Sequence, residues 1–300
     1  MPNRKNIRQV AIIGSTASGK TSLAVKVAKH MDAYILSLDS LSIYKEINVV
    51  SAKPTLAERE GIIHFGIDTI SPNEAFDVTT FITLYNEVYQ QCLQDHKALV
   101  IVGGTSFYLK MLIEGVSVLP SISDDTKIET SNMLCDLSKA YDLLHRLDPV
   151  YMSKIERNDS YRIEKALNIY IETGATPSVY FNDYPPVPTI QSELPIYQIE
   201  WEREILRERI SLRTELMVND GLIDEICRLE KKYSRSPNCM KAIGIKETLA
   251  YLDGVYSKEK MIEKITTNTS RLAKRQKTFN NSQFDNVVKG SVKDLEKILL

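Results

Sequence analysis

The chain has 300 residues, 43% apolar and 26% charged, enough for one large core or two ordinary ones. Its formal charge of −1 excludes a global basic field, so any nucleic-acid site must be a local patch. Cys92, Cys135, Cys227 and Cys239 are too scattered for a disulfide framework or a zinc site. The four histidines, His30, His64, His96 and His145, are equally dispersed and read as isolated surface or core residues. No apolar run approaches the ~20 residues of a membrane span. The basic stretch Met1 to Gln9 leads into a strand-like run, not a signal-peptide pattern. A cytoplasmic chain is expected.

The first 115 residues alternate strand and helix signals. Val10–Ile13 reads as a strand, Lys20–His30 as a helix and Ala33–Leu38 as a second strand. Residues 77–95 carry Phe81, Leu84, Tyr85, Val88 and Leu93 at helical spacing, and Ala98–Val102 is a short, continuous apolar strand. Such strands are buried on both faces, which predicts an α/β core with a parallel sheet flanked by helices.

The pattern changes after Leu119-Pro120. From Ser121 to Tyr180 only helical periodicity appears. One stripe of Ile163, Ala166, Leu167, Tyr170 and Ile171 starts at Asn158-Asp159 and stops at Gly174. A connector with Pro185, Pro186, Pro188 and Pro195 follows, then a strand within Leu194–Trp201. We therefore expect an all-α domain, 121–190, inserted into a core of 1–120 and 191–300. Helices are expected near 203–218, 220–233, 244–252 and 258–277, with a last strand at Phe284–Val288.

The strongest motif is Gly14-Ser15-Thr16-Ala17-Ser18-Gly19-Lys20-Thr21, between the first strand and first helix. Gly, four residues, then Gly-Lys-Thr is a phosphate-binding loop. Backbone N–H groups and the helix start attract a polyphosphate or pyrophosphate, Lys20 adds a charge, and the Thr21 hydroxyl suits magnesium. Asp39-Ser40 follows the second strand, and Gly103-Gly104-Thr105 follows the strand at 98–102. In a parallel sheet all three meet at one edge, where ligands bind. Asp39 is either a turn cap or a carboxylate facing the phosphate site. Thr105 is either a helix cap or a neutral hydrogen-bond donor; the two glycines would let a ligand approach the backbone closely. The strand at 98–102 lacks the terminal acidic residue that often holds magnesium in phosphate-loop NTPases, which weakens an ATPase reading. Arg213 falls in a stripe with Leu206, Ile210 and Met217. It is a snorkelling arginine or an inward cation for pyrophosphate.

These residues resemble the tRNA dimethylallyltransferase (tRNA isopentenyltransferase) family over nearly the whole chain. The resemblance rests on the phosphate loop and on Asp39-Ser40-Leu41-Ser42-Ile43-Tyr44, Ser51-Ala52-Lys53-Pro54, Val102-Gly103-Gly104-Thr105 and Asn158-Asp159-Ser160-Tyr161-Arg162. It extends through Met240-Lys241-Ala242-Ile243-Gly244-Ile245-Lys246-Glu247 and Leu272-Ala273-Lys274-Arg275-Gln276. It implies transfer of a five-carbon group from dimethylallyl diphosphate to the exocyclic amine of the adenine 3′ of the anticodon. Magnesium assists, and Thr21 is its implied protein ligand. Asp39 matches the family's base, Thr105 the residue that hydrogen-bonds at the reacting centre, and Lys20 and Arg213 stabilise the leaving diphosphate. The implied tRNA contacts are Asp39, Ser40, Leu41 and Ser42, then Lys127, then Tyr161, Arg162, Ile163, Glu164 and Lys165. They continue with Lys241, Ala242, Ile243, Gly244, Ile245 and Lys246. The basic face of the late helix adds Lys274 and Arg275 as phosphate contacts. Many members carry glutamine at Tyr161, arginine at Lys241 and tyrosine at Ile245, so the resemblance carries over the donor site but not the exact base contacts. The lack of a paired-His zinc finger fits a bacterial-type enzyme, expected to act as a monomer. The rival readings are a small-molecule kinase and a non-catalytic tRNA-binding protein.

Overall fold

The computed structural model describes residues 6–300; residues 1–5 of the basic N-terminal stretch lie outside the described part. The chain divides into two units, Met1–Lys110 with Ile190–Leu300, and Met111–Thr189.

The first unit starts with β1 (Gln9–Gly14), α1 (Lys20–Met31), β2 (Ala33–Leu38), α2 (Leu56–Arg59), β3 (His64–Phe65), α3 (Val78–Asp95), β4 (Ala98–Gly103) and α4 (Ser106–Glu114). Every residue of β1 and β4 is buried, as a continuous apolar run demands. Ile12, Ile35 and Val100 have no solvent exposure, and each such side chain contributes about 1.5–3 kcal/mol on burial. In α3 the Asp77 carboxylate accepts from the Thr80 amide and starts the helix, and Phe81, Tyr85, Val88 and Cys92 form the buried stripe.

The second unit is all-helical: α5 (Asp124–Leu134), α6 (Leu137–Leu147), α7 (Pro149–Met152), α8 (Ser160–Thr173) and α9 (Pro177–Asp183). Its own core gathers Ala140, Tyr141, Leu144, Met152, Ile163, Ala166 and Leu167. Asp159 caps α8 by accepting from the Arg162 amide, and Gly174, at φ 71°, ends it. Buried Asp148 starts α7 and ties α9 to it, accepting from the Ser178 amide and hydroxyl at 2.6 and 2.7 Å. Val116 and Val187 pair antiparallel, so the chain enters and leaves this unit side by side.

The first unit resumes with β5 (Ile196–Ile199), α10 (Arg203–Asn219), α11 (Leu222–Tyr233), a 3₁₀ turn at Asn238–Lys241, α12 (Ile245–Leu252), α13 (Lys258–Gln283), β6 (Val288–Gly290) and α14 (Val292–Leu299). The six strands run in the order β3-β2-β4-β1-β5-β6, all pairs parallel. One core covers the sheet through α1 and α14; another joins residues 43–50 to α11, α12 and the start of α13. The last strand lies at Val288–Gly290 instead of Phe284–Val288, because α13 runs on to Gln283 rather than stopping near 277.

Candidate active site

Strand order decides which loops meet. β4 lies between β1 and β2, with Gly103 opposite Ile13 on one side and Leu38 on the other. The three strands therefore end level. The phosphate loop, Asp39 and Gly104-Thr105 follow at one edge of the sheet. Gly103 permits this pairing: a Cβ there would sit 2.1 Å from the Leu38 carbonyl oxygen. Its missing side chain thus serves strand packing, and its backbone also lines the smaller cavity at this edge.

The phosphate loop turns through Ala17 at φ 60° and Gly19 at φ 89° into α1. Its carbonyls are held from outside. Trp201 Nε1 donates to the Ser18 carbonyl at 2.9 Å, and Arg209 Nε to the Ala17 carbonyl at 2.8 Å. The Arg209 guanidinium lies 4.8 Å over the Trp201 ring. Ser15 Oγ donates to the Ala273 carbonyl of α13, and the Thr16 amide donates to Gln276 Oε1. Lys20 folds into the loop, with Nζ donating to the Ser15 carbonyl at 2.6 Å. Burial lowers its pKa to about 7, Arg213 adds to the fall, and Asp39 opposes it. Burial also lowers Arg213, with Asp39 opposing, and its guanidinium stays a cation.

Asp39 Oδ1 accepts from the Leu41 and Ser42 amides at 2.8 and 3.0 Å. It caps a turn that no helix follows. Thr105 Oγ1 accepts from the Ser40 amide at 3.3 Å, which links the loops after β2 and β4. Two cavities open here. The smaller, about 160 Å³, is walled by the phosphate loop, Lys20, Thr21, Asp39, His64 and Arg213. The larger, about 470 Å³, has an apolar wall including Phe107, Ile210, Met217, Leu272 and Phe279. Thr16, Ala17, Asp39, Gly104, Arg213 and Gln276 line both, so the cavities adjoin. Thr105 lines the larger.

Four residues with a place here were given no role from the sequence: Trp201, Arg209, His64 and Gln276, the last quoted only within a family motif. Arg209 lies one helical turn before Arg213, a spacing that could have drawn attention to it. His64, read as an isolated histidine, lines the phosphate cavity. Its Nδ1 pairs with the Ile62 carbonyl at 2.9 Å, Nε2 is buried without a partner, and burial lowers its pKa.

Three of the expected tRNA contacts require correction. Ile163 and Ile245 have no exposed surface; they fill the cores of their respective units and shape the neighbouring surface instead of touching a ligand. Gly244 is buried against Val50, where a Cβ would meet Cγ2 at 2.4 Å. Tyr161, Arg162, Lys241, Lys246, Lys274 and Arg275 are exposed. Lys127 pairs with Asp124 at 2.7 Å on the surface of the second unit. Asp39, Leu41, Ala242 and Ile243 line the larger cavity with Ser40; Ser42 lines the smaller. Glu164 and Lys165 are half-buried on α8.

Residues 42–283 match the family model described as IPP transferase. The chain belongs to the tRNA dimethylallyltransferase family. It is 69% identical over 294 residues to a tRNA dimethylallyltransferase from Sulfurovum sp., covering 98% of each chain. It is 54% identical over 292 residues to one from Sulfurimonas denitrificans, covering 97% of this chain and 98% of that one. The full-length tRNA isopentenylpyrophosphate transferase of Bacillus halodurans superposes with a TM-score of 0.71 at 29% identity, over 97% of this chain and 95% of that one. A eukaryotic dimethylallyltransferase captured acting on tRNA gives a TM-score of 0.83 at 25% identity, over 97% of this chain and 75% of its own. The family is one of enzymes, tRNA-modifying transferases on a phosphate-loop α/β fold. Among the described residues no helix is long and apolar enough to cross a membrane, and no cluster of three His, Cys, Asp or Glu could hold a metal.

Proposed function

We propose that the chain transfers a dimethylallyl group from dimethylallyl diphosphate to the exocyclic amine of the adenine next to the anticodon of tRNA, on its 3′ side. The observation that carries this reading is the pair of adjoining cavities. The polar one offers Lys20, Thr21 and Arg213 to a diphosphate; the apolar one offers room for an alkyl chain and a base. Asp39 belongs to both walls, where donor carbon and acceptor amine would meet.

The chemistry follows from charge. An adenine amine is a weak nucleophile because its lone pair is delocalised into the ring. As its nitrogen bonds to the terminal carbon of the dimethylallyl group, the carbon–oxygen bond breaks and diphosphate departs. Asp39 Oδ2 takes the amine proton, while Oδ1 stays engaged in its turn. Lys20, Arg213 and loop N–H groups stabilise the charge growing on the diphosphate. Thr105 holds the amine in line. The target base leaves its stack to enter the larger cavity, and single-stranded loop bases are held there by stacking and edge contacts.

The oxygen donors near the phosphate loop suit a hard cation that keeps most of its waters, and Thr21 is the residue that would hold magnesium. Bound there, magnesium would neutralise part of the diphosphate charge. The exposed Lys274 and Arg275, together with Tyr161, Arg162, Lys241 and Lys246, are proposed to face RNA phosphates and bases.

Mass analysis of an anticodon stem-loop RNA, incubated with protein, magnesium and dimethylallyl diphosphate, tests the reading. The expected product gains one dimethylallyl group on that adenine. Consumption of ATP with no use of the prenyl donor would replace it with a kinase. Tight RNA binding without product would leave only a tRNA-binding protein.

A further inference from the structure

One side chain spans the two loops between which the proposed reaction takes place. The β1–β4 ladder ends with Ile13 opposite Gly103, and the two strands give way to loops after Gly14 and Gly103. At the next step Gln276 reaches in from α13. Its Oε1 accepts from the Thr16 amide at 2.9 Å, and its Nε2 donates to the Gly104 carbonyl at 3.0 Å. An N–H on one side and a carbonyl on the other admit only one orientation of the amide. Gly104 leaves the room: a Cβ on it would sit 2.5 Å from Gln276 Nε2. Gln276 also lines both cavities.

We infer that Gln276 is a positioning residue that fixes the diphosphate-holding loop against the loop carrying Thr105, and so sets the distance from donor carbon to acceptor amine. The inference rests on the proposed transfer reaction. Gln276 takes no part in bond making. It uses the Thr16 amide for alignment and withdraws it from the diphosphate. Errors of an ångström between reacting groups cost rate far more than binding. Losing the bridge should therefore lower kcat while leaving both substrate KM values nearly unchanged.

Gln276→Glu supplies the sharpest test. As a carboxylate, the substituted side chain faces the Gly104 carbonyl with no proton to donate. Once protonated, it offers a carbonyl to Thr16 and an O–H to Gly104, the pattern of the native amide. The titratable and charged groups around it are Lys20 on α1, Asp39 after β2, His64 on β3 and Arg213 on α10 in the smaller cavity, with Arg275 in the larger. Asp39 and the bound diphosphate favour the protonated form; the cations oppose it.

The measurement is kcat and KM for dimethylallyl diphosphate and an anticodon stem-loop RNA from pH 8.5 down to about pH 4.5, near the ordinary range of a glutamate carboxyl, normalised to wild type. At pH 8.5 the Gln276→Glu variant should lose roughly 10–100-fold in kcat, with both KM values within about threefold. That deficit should shrink as pH falls. A second variant, Gly104→Ala, leaves Gln276 in place but pushes its flexible end off the carbonyl. It should lose kcat similarly with no recovery at low pH. Wild-type kcat in either variant, or a deficit in Gln276→Glu that is constant across the range, overturns the inference. If wild type itself makes no prenylated RNA, the reaction is at fault instead, so the two failures are distinguishable.

Discussion

Asp39 carries a structural duty and a proposed catalytic one, and two substitutions separate them. Asparagine keeps an oxygen for the Leu41 and Ser42 amides; alanine does not. Asp39→Asn should lower turnover by about 10²–10⁴ at nearly unchanged unfolding midpoint and RNA affinity. Asp39→Ala should show the same loss of turnover and also a stability loss of roughly 1 kcal/mol from the vacated cap. Full turnover in Asp39→Asn would remove the base from the mechanism. Lys20 makes a pH prediction. Its folded pKa of about 7 lies below the ordinary 10.5, chiefly because burial disfavours the charge. Between those values the unfolded chain binds a proton that the folded chain does not, so stability rises with pH across that window. Below it the buried charge costs the most. The denaturation midpoint of wild type should therefore gain on that of Lys20→Met from pH 7 to pH 10. A flat difference between the two would contradict the burial of this charge.

At the scale of elements, α11 grips the segment that walls the larger cavity. Glu225 is 3% exposed, and its carboxylate accepts from the Asn48, Val49 and Val50 amides at 2.9, 2.8 and 3.0 Å. Val50 and Ser51 line the cavity directly after it. A buried anion on three N–H groups is worth more than any one neutral hydrogen bond. Glu225→Ala should cost roughly 3 kcal/mol, read from a urea midpoint, and Glu225→Gln about half of that. Equal stability of Glu225→Ala and wild type would mean that the turn holds itself. The neighbouring Lys53 is likewise structural, donating to Asn48 and Asp68 from a nearly buried position.

For the whole molecule, each unit carries its own core, and the Thr189 amide donates to the Leu112 carbonyl at 3.0 Å where the chain enters and leaves the helical unit. Replacing residues 113–188 by a short linker should thus leave the first unit folded. We expect pyrophosphate affinity within about threefold of wild type and anticodon stem-loop affinity reduced at least about tenfold. Unchanged RNA binding would mean that the helical unit contributes nothing to RNA affinity.

The sequence by itself determined the sheet strands with continuous apolar runs, the capped helices and the phosphate loop. Each of these is written within a few neighbouring residues: four to six buried apolar positions in a row, Asp77 or Asp159 before a stripe, glycines around a lysine. Local pattern was silent on β3, which is two residues long, and on α2, which is one turn. The tertiary structure alone decided that β4 lies between β1 and β2, which brings Asp39 to the phosphate loop. It also decided that Gln276, 260 positions from Thr16, closes that loop, and that Ile163 and Ile245 face cores instead of a ligand. Contacts between distant residues depend on strand order and helix packing, and these are set by the burial of the whole chain at once, not by any window of it.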